Sequence, residues 1–422
     1  MQKESGVNYN YSMALLSTLF FMWGFITVLN DILIPHLKGL FDLNYTKTML
    51  IQFCFFGAYF ITSIPAGAII SRIGYKRGIV LGLSVTGFGA LLFFPASMII
   101  SYGFFLTALF ILASGITILQ VAANPYVAFL GPVKTASSRL NLTQAINSLG
   151  TTLAPYFGSL LILDTAGKHR SPAEEALSVQ GPYLGIALLL GVIAMLIAFS
   201  KLPAVSDESL EKYHDTAHYG KKSAWQFKHL IRGAFAIFLY VGGEVTIGSF
   251  MVNYLMEPGI GSLAESDAGK FVSLYWGGAM VGRFIGAAVL QRIRPQSVLS
   301  FCAIAAIVLI IISTNSSGSL AMYSIIVVGL FNSIMFANIF TMSMDGLGKY
   351  TGEGSGILCM AIVGGAIVPV ITGMLADSVG LQNALMITII CYSYILYFGI
   401  SGYKRHVKES EPSEKIDDLI SH

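Results

Sequence analysis

Residues 19–38 read LFFMWGFITVLNDILIPHLK, and such a stretch is long and apolar enough to cross a lipid bilayer. It contains a carboxylate, Asp31, next to Asn30. Trp23, Thr27 and Asp31 follow one another at four-residue intervals, so they share one face of a helix. An ionisable group inside a membrane usually faces a bundle interior or a water-filled cavity. We interpret Asp31 as part of a site for a cation or proton beside a polar substrate; the alternative is a carboxylate near the helix end that reaches water.

The composition of the chain indicates a membrane protein. Of its 422 residues, 55% are hydrophobic and 11% are charged, whereas soluble globular proteins carry about 25% charged residues. The four cysteines lie in apolar segments without paired spacing, which predicts small core residues and neither disulfides nor metal ligands: Cys54, Cys302, Cys359 and Cys391.

Apolar windows of a length that spans a bilayer recur along the chain. They fall at 13–37, 49–70, 78–99, 103–128, 140–163, 182–200, 231–256, 270–290, 297–314, 319–344, 355–376 and 382–402. We therefore predict an all-α membrane protein of twelve transmembrane helices in two pseudo-symmetric six-helix bundles. The predicted divisions are an N-terminal bundle at 1–200, a cytoplasmic linker at 201–230, a C-terminal bundle at 231–404 and a cytoplasmic tail at 405–422.

The distribution of Lys and Arg predicts the orientation in the membrane. If the N-terminus is cytoplasmic, nineteen of these residues lie in cytoplasmic segments. Five lie in outer segments: Lys38, Lys47, Lys168, Arg170 and Lys270. Because cytoplasmic loops are enriched in Lys and Arg, both termini are predicted to be in the cytoplasm.

The two predicted bundles resemble each other in sequence. Asn124, Gly150 and Pro155 each have a counterpart of the same type 214 residues later, in Asn338, Gly364 and Pro369. Repeated half-bundles are typical of alternating-access transporters, which hold their substrate between the halves near the middle of the membrane.

Uncharged polar side chains form stripes on the fourth and fifth windows. Thr117, Gln120 and Asn124 share one helical face, and Gln144 and Asn147 share another. Amides and hydroxyls suit a polyol, because each sugar hydroxyl both donates and accepts hydrogen bonds. The alternative interpretation is that these residues join helix to helix.

The second bundle supplies a further carboxylate and candidate aromatic contacts. Glu244 lies in the seventh window, and Phe336 and Asn338 lie in the tenth. We interpret Glu244 and Asn338 as sugar-binding residues, and Trp23 and Phe336 as flat faces for sugar C–H groups. The alternative for Glu244 is a structural pair with a buried cation such as Arg283.

Other classes of function lack a sequence basis. The chain has no phosphate-binding loop, metal-ligand cluster or nucleophile–base pair. We therefore predict neither an ATP-driven pump nor an enzyme, no cofactor, and no nucleic-acid partner.

Several motifs are similar to a known family. They are FFMWGFITVLNDILIP at 20–35, ILQVAANPYVAFLGP at 118–132, RLNLTQAINSLGT at 139–151, YVGGE at 240–244, NSIMFANIF at 332–340 and IVGGAIVP at 362–369. Over nearly its whole length the chain resembles the major facilitator superfamily, and within it the fucose permease-like sugar:cation symporters. The turn signature G-x-x-x-D-R-x-G-R-K of the superfamily is partly present at 67–76, with Ser71 in place of the acid.

The resemblance implies a two-lobed importer of a hexose-like sugar and a cation. It matches Asp31 to the essential first-helix aspartate of the family, Gln144 and Asn147 to sugar-binding amides, and Trp23 to an aromatic at the site. In two places the chain departs from the fucose–proton symporter. Gln120 replaces a fourth-helix glutamate, and Glu244 replaces a seventh-helix glutamine. Both changes resemble the glucose/galactose or N-acetylglucosamine branch, some members of which use sodium.

We therefore predict a secondary active symporter for a glucose- or galactose-like hexose. The coupling ion is predicted to be Na⁺ in preference to H⁺, because the change to Gln120 removes a titratable group and keeps an oxygen donor. The predicted ion site comprises Asp31 as the charged ligand of Na⁺, with Asn30, Thr27 and Gln120. The predicted sugar site comprises Trp23, Gln120, Asn124, Gln144, Asn147, Glu244, Phe336 and Asn338.

Alternative functions stay open. They are an N-acetylglucosamine or fucose:H⁺ symporter, a multidrug exporter, and a sugar receptor that does not transport. The predicted setting is the lipid bilayer of a bacterial cytoplasmic (inner) membrane, with the protein acting as a monomer.

Overall fold

The computed structural model describes residues 9–41, 45–158, 177, 179–200, 202–203 and 222–404. The regular structure within these ranges is helical. The first six spans are α1 (Tyr9–Leu40), α2 (Tyr45–Ile73), α3 (Tyr75–Ile99), α4 (Tyr102–Phe129), α5 (Ala136–Gly158) and α6 (Gln180–Phe199). The second six are α7 (Lys228–Met256), α8 (Glu265–Val289), α9 (Pro295–Asn315), α10 (Gly318–Met344), α11 (Gly348–Val379) and α12 (Leu381–Gly402).

Ten helices of the described ranges are long and apolar enough to cross a membrane. The described apolar part of α1 covers Tyr11–Thr27. Helix α5 is less apolar than these ten helices, because its first half carries polar and charged side chains: Arg139, Asn141, Gln144 and Asn147. The helices confirm the predicted all-α membrane fold.

Several helix bounds differ from the apolar windows. Helix α5 begins at Ala136, before the window at 140–163, because its first turn is polar. Helix α7 begins at Lys228, inside the predicted linker at 201–230. Helix α10 is interrupted after Asn332, where the Ser333 hydroxyl donates to the Leu330 carbonyl at 2.6 Å. Such bonds to the preceding turn bend helices. The predicted tail at 405–422 lies outside the described residues.

The helices pack as two groups of six. In the first group α1 lies against α5, and α3 lies between α4 and α6. In the second group α10 contacts α8 and α9, and α7 contacts α11 and α12. The two groups, called the halves below, meet mainly along α2 with α11 and along α5 with α8.

The halves are in close contact at what we call the basic end. This is the end at which α2, α4, α8 and α10 terminate and α11 begins. The basic residues at this end include Arg72, Lys76, Arg77, Lys134, Arg292, Arg294 and Lys349. A Cβ atom on Gly67 of α2 would lie 2.6 Å from the Gly352 carbonyl oxygen of α11. The Ser355 hydroxyl of α11 donates to the Val121 carbonyl of α4 at 2.8 Å.

Helix α5 extends this contact toward α8 and α10. Its Ser137 hydroxyl shares a hydrogen bond of 2.6 Å with Thr341 of α10. Its Ser138 hydroxyl donates to the Ala287 carbonyl of α8 at 2.5 Å. These hydrogen bonds between the halves involve no charged group. The basic end is therefore closed by hydroxyl hydrogen bonds and by the close approach of the α2 and α11 backbones.

Candidate binding cavity

A cavity lies between the two halves. Its volume is about 160 Å³, smaller than the range of about 300–1,000 Å³ that is typical of small-molecule sites. The first half contributes Trp23, Gln120 and Gln144 from α1, α4 and α5. The second half contributes Tyr240, Val241, Glu244, Arg283, Ser333, Phe336, Ala337 and Ile362, from α7, α8, α10 and α11. A cavity with walls from both halves changes shape whenever the halves move relative to each other.

The wall of the first half depends on a close approach of α1 to α5. A Cβ atom on Gly24 would overlap the main-chain carbonyl oxygen of Asn147, so the absence of a side chain permits this packing. The Asn147 amide donates to the Phe20 carbonyl of α1 at 2.7 Å. These contacts bring Trp23 of α1 and Gln144 of α5 to the same cavity.

Gln120 connects this wall to α2. Its Nε2 donates to the Tyr59 hydroxyl, and both side chains are buried. The Nε2 group of Gln120 is therefore already hydrogen-bonded within the protein. Its carbonyl oxygen has the chemistry to accept a hydrogen bond or to bind a cation.

The wall of the second half holds Glu244 in a network of tyrosines. The Tyr240 hydroxyl lies 2.8 Å from Glu244 Oε1 and 3.2 Å from the Asn332 carbonyl oxygen. The Asn332 amide donates to the Tyr275 hydroxyl at 2.8 Å, and that hydroxyl donates to the Glu244 carbonyl at 3.3 Å. Tyr240, Tyr275 and Asn332 are buried, so this network fixes where the Glu244 carboxylate meets the cavity.

Arg283 lines the cavity, whereas the sequence indicates it only as an alternative structural partner of Glu244. It donates through Nε to the Ser333 carbonyl at 3.2 Å and through a terminal N–H to the Ser148 hydroxyl. Glu244 lines the same cavity as Arg283. They are the charged side chains of the described lining, so their formal charges cancel. The signal in the sequence was a single Arg inside an apolar window, which is costly unless it faces a polar interior.

The predicted sugar residues divide into two groups in the structure. Trp23, Gln120, Gln144, Glu244 and Phe336 line the cavity together. The other three are Asn124, Asn147 and Asn338, which are not among the described residues that line it. All three are buried.

The placement of these three differs from the prediction because their helical faces meet other helices. Asn338 accepts a hydrogen bond of 3.1 Å from Asn141 of α5, which joins the halves toward the basic end. Asn147 is bonded to α1. The buried side chain of Asn124 has no hydrogen-bond partner among the described residues.

The predicted ion site is described only in part. The Thr27 hydroxyl donates to the Trp23 carbonyl of its own helix at 2.9 Å. Gln120 lies in the cavity wall beside Trp23 and Gln144. The side chains of Asp31 and Asn30 lie outside the described residues, so their place in the site stays a prediction.

The chain is similar to known proteins. The model of the Major Facilitator Superfamily matches residues 14–362. The chain is 55% identical over 405 residues to the "Glucose/galactose transporter" of Brucella abortus biovar 1, covering 96% of this chain and 97% of that one. It is 35% identical over 424 residues to the "L-fucose-proton symporter" of Escherichia coli, covering 94% and 95%.

A solved structure has the same architecture. The crystal structure of FucP, a major facilitator superfamily transporter in the outward conformation, superimposes with a TM-score of 0.84. That match covers 93% of this chain and 99% of FucP, at 34% identity. The twelve-helix fold, the family model and these relatives agree, and the chain belongs to the major facilitator superfamily, within its fucose permease-like group.

Proposed function

We propose that the protein is a secondary active symporter that imports a glucose- or galactose-like hexose with a cation. The main observation behind this proposal is the cavity between the halves, which is lined by two amides, a carboxylate, a guanidinium and three aromatic side chains. A relative that is 55% identical is a glucose/galactose transporter. Relatives in this superfamily are transporters and not enzymes, in agreement with the predicted absence of catalysis.

The chemistry of the lining fits a sugar better than a drug-like molecule. Gln120 and Gln144 offer amide groups to hydroxyls, and Glu244 offers a fixed acceptor. Trp23 and Phe336 offer apolar faces to sugar C–H groups. A multidrug exporter needs a mainly apolar cavity, and a receptor without transport has no need for two halves that meet around the ligand.

Closure of the basic end supports an alternating-access mechanism. The hydrogen bonds of Ser137, Ser138 and Ser355 between the halves all lie on the same side of the cavity. If the basic end is cytoplasmic, as the Lys and Arg distribution predicts, this arrangement is outward-facing. We infer that sugar enters from outside and that release requires these uncharged contacts to break.

Counterflow exchange tests the sugar assignment without an ion gradient. Proteoliposomes that contain the purified protein and unlabelled D-galactose are placed in a trace of labelled D-galactose. We expect transient accumulation of label, reduced by external D-glucose and unaffected by the drug-like cation ethidium. Exchange of only N-acetylglucosamine or L-fucose would reassign the substrate, and absence of exchange for every sugar would contradict transport.

We propose Na⁺ as the coupling ion, bound by Asp31 with oxygens from Asn30, Thr27 and Gln120. Na⁺ binds to several oxygens around a carboxylate that stays ionised, and Gln120 supplies an oxygen without a titratable proton. H⁺ is the second candidate, because a relative that is 35% identical is a proton symporter.

Sugar binding distinguishes these ions because coupling between two ligands is reciprocal. The affinity of the purified protein for D-galactose is measured by calorimetry at one pH, in NaCl and in choline chloride. We expect tighter binding in NaCl. Equal affinities in both salts, together with an affinity that depends on pH, would favour the proton.

We propose a monomer in the cytoplasmic membrane of a bacterium, with both termini in the cytoplasm. The predicted bundles at 1–200 and 231–404 act as the moving halves.

A further inference from the structure

Arg283 occupies a position that links the cavity to both halves. It lies on α8 and lines the cavity. The adjacent Gly282 allows α8 to approach the break in α10, since a Cβ atom there would lie 2.5 Å from the Leu330 carbonyl oxygen. This approach places the Arg283 Nε 3.2 Å from the Ser333 carbonyl oxygen. The base of the guanidinium is therefore held by the second half.

The same guanidinium is also held by the first half. A terminal N–H of Arg283 donates to the Ser148 hydroxyl of α5, and this hydroxyl donates to the main-chain carbonyl of Gln144 at 3.0 Å. Gln144 itself lines the cavity. The orientation of Arg283 in the cavity thus depends on the contact between α5 and α8, which belong to different halves.

Arg283 retains the capacity to bind a ligand. A guanidinium has five N–H donors and no acceptor. Two of the donors bond to Ser333 and Ser148, and the other three have no hydrogen-bond acceptor among the residues that the structure describes. The side chain faces the cavity. Glu244, an acceptor, faces the same space. A sugar hydroxyl is both donor and acceptor, so the two side chains together satisfy a pair of neighbouring hydroxyls.

We propose that Arg283 binds sugar hydroxyls, and that Ser148 holds it in place only while α5 and α8 are in contact. This inference rests on the proposed sugar transport and adds a specificity residue to it. It also makes sugar affinity depend on conformation: separation of the halves at the basic end releases the guanidinium and weakens the site. Arg283 contacts the sugar, and Ser148 is a positioning residue.

The first test separates sugar binding from neutralisation of Glu244. Binding of D-galactose to purified protein is measured for wild type, Arg283→Gln, Glu244→Gln and the double variant. We expect each single variant to lose at least about tenfold in affinity, the effect of a lost charge-assisted hydrogen bond. The double variant is expected to bind D-galactose at least as weakly as either single variant. Restoration of wild-type affinity in the double variant would overturn the proposal and leave Arg283 as a counter-charge.

Arg283→Lys covers the case in which the Gln variant does not fold. Lysine keeps the charge and lacks the planar fork of donors, so we expect it to be folded and still weakened about tenfold or more. An affinity within twofold of wild type in Arg283→Lys and Arg283→Gln would overturn the proposal. If the wild-type protein itself binds no hexose, the proposed function is wrong. If the wild type binds D-galactose and the Arg283 variants bind it equally well, only the role of Arg283 is wrong.

The second test concerns Ser148. We expect Ser148→Ala to raise the Michaelis constant for external sugar about threefold, as for loss of one neutral hydrogen bond, with an unchanged maximal rate of counterflow. Ser148→Thr, which keeps the hydroxyl, should restore the Michaelis constant. Thr152→Val is the matched control, because Thr152 lies on the same interface against Met280 and does not bond to Arg283. Equal behaviour of Ser148→Ala and Thr152→Val would contradict the positioning role.

Discussion

At the scale of residues, the cavity lining combines neutral amides with two charged side chains, each of which is held by hydrogen bonds within the protein. Glu244 is oriented by Tyr240, and Arg283 by Ser333 and Ser148. Because their formal charges cancel, the described lining carries no net charge to attract ions strongly. The charge that a coupling cation requires therefore falls to Asp31 in the proposed mechanism.

Replacement of Asp31 tests this role. Asp31→Asn keeps the size and most of the polarity and removes the charge. We expect this variant to be expressed and to perform counterflow, while accumulation of sugar against a gradient is abolished. Uptake into proteoliposomes with an imposed ion gradient provides the measurement. Full accumulation by Asp31→Asn would leave Asp31 as a carboxylate that merely reaches water.

The two amides of α5 have different expected roles. Gln144 lines the cavity, whereas Asn147 donates to the Phe20 carbonyl. Gln144→Ala should weaken D-galactose binding by about 1–3 kcal/mol, since a sugar hydroxyl loses its partner, with little change in thermal stability. Asn147→Ala should lower the melting temperature as well, because a buried carbonyl of α1 loses its donor. Equal melting temperatures for the two variants would contradict this division.

At the scale of elements, glycine permits the closed contact of α2 with α11. A Cβ atom on Gly67 would lie 2.6 Å from the backbone of Gly352, and backbone cannot move aside without shifting the helix. We therefore expect Gly67→Val to push the basic ends of the halves apart. Gly185→Val is the control, because nothing lies within 4 Å of a Cβ atom there.

Spin labels measure this separation directly. Val133→Cys and Arg292→Cys introduce labels at exposed positions of the basic end, one on each half. We expect the distance distribution to shift to longer values in Gly67→Val and to stay unchanged in Gly185→Val. An unchanged distribution in Gly67→Val would mean that the α2–α11 contact does not control closure.

Helix number and apolar faces were predictable from the sequence because both depend on local hydropathy. The apolar windows located every span, including α5, where polar residues lower the hydropathy. The interruption of α10 after Asn332 was not predictable, since the apolar window at 319–344 continues through it. The contact of Asn338 with Asn141 was not predictable either, because an amide stripe has the same sequence pattern whether it faces a ligand or another helix.

At the scale of the whole molecule, the structure joins a binding cavity to a closed basic end. Ser148 and Gln144 lie toward the cavity on α5, and Ser137 and Ser138 lie nearer the start of the same helix. Helix α5 therefore contacts the cavity and the closure together. Rocking of the halves about this region opens the basic end and reshapes the sugar site in one motion, as alternating access requires.

Concentrative uptake is the measurement that tests symport most directly. Purified protein in sealed proteoliposomes receives external D-galactose with an inward Na⁺ gradient, an inward H⁺ gradient or no gradient. We predict accumulation above the external concentration with the Na⁺ gradient and its collapse on adding a sodium ionophore. Accumulation that follows only the H⁺ gradient would contradict the assignment of the ion, and equilibration without accumulation under every gradient would contradict symport itself.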